Sequence, residues 1–152
     1  MLIGGVEFEH GSPIVIARNP DGTPWLDVPR VRYANVRSLS LNQYGSGPFA
    51  RLIVRRLPLH PGVYAVVNGN GDVLYIGKAS GSLAERWNGY ATIQPRNCFI
   101  GGQSTNCRIN GLILKAITAG RSLDVYVHEI PEPIPLETRL IAAVQPPWNI
   151  RS

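Results

Sequence analysis

The sequence is short of what a secreted or membrane-spanning protein needs. Two cysteines, Cys98 and Cys107, in 152 residues cannot supply the several bridges of a disulfide scaffold, and reduced thiols are expected. No run approaches the roughly eighteen apolar residues of a membrane span, and the opening Met1-Leu2-Ile3-Gly4-Gly5 lacks the charged start and long apolar stretch of a signal peptide. A cytoplasmic chain with no membrane partner is the expectation. Charged residues amount to 16%, yet the apolar share of 44% argues against wholesale disorder. There is no internal repeat and no low-complexity tract. A chain of this length builds one main globular unit with a real core, not two large ones.

Lysine is scarcer still. Of fifteen basic residues, against ten acidic ones, only Lys78 and Lys115 are lysine, so the excess of positive charge is carried by arginine. Planar guanidinium forks can grip phosphate through two hydrogen bonds. Acid is also missing from two long stretches, between Asp27 and Asp72 and between Glu85 and Asp124. The first holds Arg30, Arg32, Arg37, Arg51, Arg55 and Arg56; the second holds Arg86, Arg96, Arg108, Lys115 and Arg121. Segregation of this kind points to a polyanion, nucleic acid foremost, as well as to a plain solvated basic surface.

What is present sorts into two parts. Residues 1–60 read as short strands and turns, with candidate strands at Pro13–Ala17, Trp25–Val28 and Arg51–Arg56. From Pro61 the pattern sharpens. Gly62–Val67 and Asp72–Gly77 are apolar, β-branched runs joined by Asn68-Gly69-Asn70-Gly71, residues that tolerate positive φ, and so form a hairpin. Ser82-Leu83-Ala84-Glu85 has the form of a capping box and predicts a helix that carries Arg86 and Tyr90 on one face. A second helix fits Ile109–Ala119, a strand Leu123–His128, and a third helix Leu136 to about Gln145, stopped by Pro146-Pro147. The order is β-β-α-α-β-α. The expected fold class is α+β, a small, mostly antiparallel sheet flanked by helices, with a strand-rich N-terminal extension.

Gly62-Val63-Tyr64 on one strand and Tyr75-Ile76-Gly77 on its partner resemble the signature of the GIY-YIG nuclease superfamily, with Val63 in place of the usual Ile. The spacing of Lys78, Arg86, Tyr90, Glu137 and Pro147-Trp148-Asn149 matches positions where that family places functional residues, so the resemblance covers about Pro61 to Asn149. It implies a stand-alone bacterial or phage enzyme that hydrolyses DNA phosphodiesters with a divalent metal, Mg²⁺ with Mn²⁺ as a substitute, leaving 5′-phosphate and 3′-hydroxyl ends. Residues 61–152 would be the nuclease domain. A restriction-type role and a structure-selective repair role both fit the resemblance.

Such a reaction needs a deprotonated water, a group to hold the charge gathering on phosphorus, and help for the leaving oxygen. The resemblance assigns Tyr64 to the water, as general base or as part of a hydrogen-bond chain; Tyr75 to the water or the scissile phosphate; Lys78 to stabilising charge at Tyr64; and Arg86 to clamping the phosphate. Tyr90 would bond the phosphate or support the Tyr64 network. Glu137 would hold the metal, because one carboxylate suits a Mg²⁺ that keeps several waters. Asn149 would anchor the backbone or orient a ligand. Tyr64 and Tyr75 also read as core packing, and Glu137 as an ordinary carboxylate in the first turn of a helix. Arg51, Arg55, Arg56, Arg96 and Arg108 are the candidate DNA contacts, the last two together with a polar stretch, Asn97–Asn110, that also reads as a helix-connecting surface loop. The cysteines and His128 show no close C-x-x-C pair, which argues against structural zinc. Cutting both strands would require a homodimer or two successive nicks. A DNA-binding module without catalysis is the alternative from another class, and a protein-interaction domain reusing the fold is a third.

Overall fold

The computed structural model describes residues 1–33 and 38–150; Arg37, counted above among the basic residues, lies outside them. In chain order the elements are β1 (Leu2–Ile3), β2 (Val6–Glu7), β3 (Glu9–Pro13), β4 (Val15–Ile16), β5 (Leu26–Asp27), β6 (Phe49–Ala50), β7 (Leu52–Ile53), β8 (Gly62–Asn68), β9 (Val73–Ala79), α1 (Leu83–Ala91), α2 (Ser104–Thr118), β10 (Leu123–Glu129) and α3 (Pro133–Val144). They fall into two units. The first comprises Met1–Ile14, Val54–Trp87 and Arg121–Ser152, the second Val15–Ile53 and Asn88–Gly120. Each is an α+β assembly. No described helix is long and apolar enough to cross a membrane.

The first unit is built on a four-stranded antiparallel sheet in the order β3-β10-β8-β9. The predicted hairpin is its centre. Asn68 shapes the turn: its Oδ1 accepts from the backbone N–H of Asn70 and of Asp72, both at 3.0 Å, and Gly71 supplies a φ of 85°. Tyr64 stands opposite Gly77 and Val63 opposite Lys78. Strand alternation then sends Val63, Ala65, Val67 and Ile76 to one face, where they meet Leu136, Leu140, Ile141 and Val144 of α3 in a shared core. Burying side chains of this size stabilises by about 1.5–3 kcal/mol each. Leu140 is fully buried, and Leu→Ala in a core costs about 2–5 kcal/mol.

The second unit pairs β4 with β7 and β5 with β6 beside α2, around a core of Phe49, Ile93, Cys98, Phe99 and Cys107. Asn110 is buried in α2. Its Nδ2 donates to the carbonyls of Ala50 and Tyr90 at 2.9 and 2.8 Å, and its Oδ1 accepts from Ala50 N–H at 3.0 Å. That one amide satisfies β6 and the end of α1 together.

Several boundaries differ from the sequence reading, for physical reasons. Helix α2 begins at Ser104, not Ile109, so half of the stretch read as a polar loop is helical. Its inner face buries Asn106 and Asn110, which leave no trace in an apolar periodicity. Helix α3 begins at Pro133, not Leu136, because a proline in the first turn lacks only an N–H that would have no helical partner. Glu137 therefore lies beyond the first turn, which contains no acidic residue. The run Pro13–Ala17 is divided between two ladders, β3 ending at Pro13 and β4 starting at Val15, and Arg51–Arg56 shortens to Leu52–Ile53.

Candidate active site

Tyr64 and Tyr75 project from the sheet face opposite α3, with ring centroids 6.3 Å apart. Both are buried, Tyr64 to 1% exposure. Trp87 of α1 packs edge-on against Tyr64, centroids 5.4 Å apart at 74°. Gly77 completes the seat. A Cβ there would run into the hydroxyl, Cζ and, at 2.7 Å, Cε2 of Tyr64, so the phenol lies flat on the bare backbone of the facing strand. Glycine within a strand marks such a close approach. The sequence reading named Gly77 only as part of a tripeptide and missed Trp87 altogether; the glycine inside an apolar strand was the available signal.

Arg86 and Trp87 owe their placement to a capped helix start. Leu83 N–H donates to the His60 carbonyl at 3.0 Å, Ala84 N–H to Pro58 at 3.1 Å, and Glu85 N–H to Ser82 Oγ at 3.0 Å. Three of the four donors that a helix leaves without helical partners thus each have one. Arg86 sits in the next turn, half-buried. Tyr90 follows one turn later and belongs to the second unit, where its side chain is buried.

Lys78, next in β9 after Gly77, turns to the α3 face. Glu137 is half-buried on α3. Burial pushes the Glu137 carboxyl above its ordinary value, and the charges of Lys78 and then Arg86 pull it back. Three charged side chains from a strand and two helices therefore share one electrostatic neighbourhood. Asn149 stands at the outer edge of β9: Ile76 N–H donates to its Oδ1 at 2.9 Å, and its Nδ2 donates to the Ile76 carbonyl at 2.8 Å. Beside it, Trp148 N–H donates to the Leu74 carbonyl at 2.8 Å. The middle of the Tyr-Ile-Gly tripeptide is held from outside the sheet.

Among the described residues, no group of three or more His, Cys, Asp or Glu side chains gathers to hold a metal. A half-buried carboxylate such as Glu137 fits a hard divalent cation that keeps most of its water and takes further oxygens from phosphate. It does not fit an ion that needs an all-protein cage. Cys98 and Cys107 are both free and buried in the second unit. Desolvation raises the Cys98 thiol and, with Cys98 beside it, pushes Cys107 up to about 12. Cys107 Sγ donates to the Asn97 carbonyl at 3.2 Å.

The candidate DNA contacts are spread over both units. Arg55 and Arg56, exposed, belong to the first; Arg51, exposed, and Arg96 and Arg108, half-buried, belong to the second. Arg96 is engaged locally, its Nη1 donating to the Ile100 carbonyl at 3.1 Å. Arg32 is spent on Asp27 in a forked ion pair of 2.6 and 2.8 Å.

Comparison with known proteins identifies the family and the fold. A family described as the UvrC-like GIY-YIG domain matches residues 60–150. The solved structure of a mutant of bacteriophage T4 EndoII shares the fold, with a TM-score of 0.53 and 22% identity, covering 74% of this chain and 87% of that one. Fold and family define a GIY-YIG domain. The UvrABC system protein C of Bartonella quintana (strain Toulouse) is 31% identical over 151 residues, 97% of this chain and 19% of that protein. Its counterpart in Chelativorans sp. (strain BNC1) is 37% identical over 98 residues, 64% of this chain and 13% of that protein. The chain belongs to the family of UvrC-like GIY-YIG domains. It spans between 12% and 19% of the length of the curated relatives named UvrABC system protein C.

Proposed function

We propose that the chain is a metal-dependent DNA endonuclease that leaves 5′-phosphate and 3′-hydroxyl ends. The observation that carries this reading is a carboxylate, Glu137, in the field of two cations, Lys78 and Arg86, beside a sheet whose hairpin bears Tyr64 and Tyr75 on its other face. Residues 61–152 carry the chemistry. The extension 1–60 adds basic contacts through Arg51, Arg55 and Arg56, and Arg96 and Arg108 extend them.

Tyr64 acts on the attacking water, taking its proton or passing it along a hydrogen-bond chain. Its placement is fixed by Gly77 beneath it and Trp87 beside it, and positional precision of that order is what turns a bound water into an attacking one. Tyr75 bonds the same water or the scissile phosphate. Arg86 is permanently charged and can bridge two phosphate oxygens, so it stabilises charge that accumulates as the bond to the leaving oxygen stretches. Lys78 keeps the Glu137 carboxyl available as a carboxylate against the effect of burial. Glu137 would hold Mg²⁺ or Mn²⁺, whose chemistry when bound is to polarise the phosphate and lower the pKa of coordinated water. Asn149 keeps β9 in register beneath Tyr75 and Gly77, and Tyr90 supports the helix that carries Arg86.

The test is cleavage of supercoiled plasmid with Mg²⁺, Mn²⁺ or EDTA, beside folded Glu137→Ala and Tyr64→Phe variants. Nicking or linearisation only with metal, lost in both variants while Glu137→Ala still binds DNA, supports the reading. Discrete fragments would mark a restriction-type preference, and preferential cutting of branched or damaged duplexes a structure-selective one. Linearisation in a single encounter would call for two copies acting together. Folded protein that binds duplex, branched and single-stranded DNA but cuts none of them would leave a binding module.

A further inference from the structure

The second unit contains a cavity of about 390 Å³ whose lining includes Tyr44, Ser46, Phe49, Arg108, Gly111 and Lys115. That volume falls within the range of small-ligand sites, roughly 300–1,000 Å³. Arg108, Gly111 and Lys115 recur at helical spacing on α2, so two cations flank a residue without a side chain. Gly111 is the informative one. A Cβ built on it would meet nothing within 4 Å, so no neighbouring group requires its absence, and glycine inside a helix destabilises by about 1 kcal/mol relative to alanine. The bare backbone instead opens toward the space between the two cations. The loop that forms the other wall is held in shape: Tyr44 N–H donates to Asn42 Oδ1 at 2.9 Å, and Asn42 Nδ2 donates to the Asn97 carbonyl at 2.7 Å. Arg30 Nε donates to the Ser46 carbonyl at 3.2 Å, which brings a third cation to that loop. Among the described residues, no carboxylate lines the cavity.

We propose that this cavity binds one nucleotide unit swung out of a nucleic-acid stack, its phosphate between Arg108 and Lys115 and its base against Tyr44. Two cations without a competing carboxylate select a phosphate. An aromatic side chain adds sequence-tolerant stacking, about 1–3 kcal/mol per base, which offsets the few kcal/mol needed to unstack a nucleotide. The inference rests on the nuclease reading for the source of the nucleotide, yet its test needs neither metal nor cleavage.

Deoxyadenosine 5′-monophosphate is titrated into the isotope-labelled full chain in EDTA, and amide chemical shifts are followed. Saturable shifts are expected at Gly111 and Tyr44. Gly111→Leu, which fills open space, and Lys115→Glu, at an exposed position, should each weaken binding at least tenfold without lowering the thermal transition appreciably. Deoxyadenosine and inorganic phosphate should each bind at least tenfold more weakly than the nucleotide. The proposal is overturned if no saturable shift appears at these residues, if neither variant changes the affinity, or if inorganic phosphate binds as tightly as the nucleotide. Glu137→Gln should bind the nucleotide as the wild type does. An absence of plasmid cleavage would therefore defeat the nuclease reading and leave this one standing, and the reverse holds too.

Discussion

Gly77→Ala is the smallest change that tests how Tyr64 is held. The added methyl group would run into the hydroxyl, Cζ and Cε2 of Tyr64. Ordinary contact requires Cε2 to retreat from 2.7 Å by most of an ångström, and the hydroxyl by more. The ring has little room, since it is 1% exposed with Trp87 against its edge. Inserting a methyl group into a packed site costs about 1–3 kcal/mol, which for a chain of this size lowers Tm by roughly 3–10 °C. Displacement of a catalytic group by about 1 Å can cost on the order of a hundredfold in rate, so activity should fall much further than stability. A double-mutant cycle sharpens the expectation. In a Tyr64→Phe background, Gly77→Ala should cost less stability, because the nearest clash, with the hydroxyl, is gone while Cζ and Cε2 still stand in the way, and it should cause little further loss of cleavage. Melting curves and plasmid nicking rates give both quantities. A Gly77→Ala protein with wild-type Tm, or one that melts early yet cuts at the wild-type rate, would refute the reasoning.

Other expectations follow from the same geometry. Burial holds the Glu137 carboxyl above its ordinary value of 4.5, so its contribution to stability is full below the unfolded pKa and is lost as pH rises through the folded one. Cleavage needs the carboxylate and runs the opposite way. The acid limb of the pH–rate profile should lie above 4.5 and move to lower pH as Mg²⁺ is raised, since metal and proton compete for the same oxygens; a limb insensitive to Mg²⁺ would remove Glu137 from the metal site. Asn149→Leu loses both bonds to Ile76, about 2 kcal/mol in all and roughly 4–8 °C in Tm. Asn149→Asp should be as costly, because a carboxylate cannot donate to the Ile76 carbonyl; an unchanged melt in either variant would contradict the anchoring role. Cys107, its thiol pushed up to about 12, should resist an aromatic disulfide reagent at pH 8 until the protein unfolds, and rapid native-state titration of both thiols would show the burial to be wrong.

The hairpin and the β-β-α-α-β-α order were legible in the sequence because their signals are local: alternation, a turn that tolerates positive φ, and a capping serine. Tyr64, Tyr75, Lys78, Arg86, Tyr90, Glu137 and Asn149 could be singled out from a motif, but not the reason for their arrangement in space. That reason is non-local. Tyr64 meets Gly77 only once the hairpin closes in one register, and Glu137 meets Lys78 and Arg86 only when α3 lies on the sheet. The start of α2 was hidden because its buried face uses asparagines, Asn106 and Asn110: the Asn110 amide satisfies backbone of Ala50 and Tyr90, and the Asn106 amide bonds the Gln103 side chain. The start of α3 was hidden because proline reads as a breaker unless the first turn is recognised as the place where it does no harm. The pairing of β3 with β10 joins residues more than a hundred positions apart, and no window along the chain contains both.

Asn149 also decides where the sheet stops. A free sheet margin is a row of unpaired backbone groups on which another chain can add a strand. One margin of this sheet is β3, paired on its inner side with β10; at the other, β9, the group that covers Ile76 is a side-chain amide. The Asn149 amide gives Ile76 one hydrogen bond and accepts one, as a neighbouring strand's peptide groups would, but it is not part of a strand whose far edge could pass the pairing on. The residue that steadies the Tyr-Ile-Gly strand thus acts as a chain terminator for β-pairing, and a variant that loses the amide would acquire a margin able to recruit a second molecule.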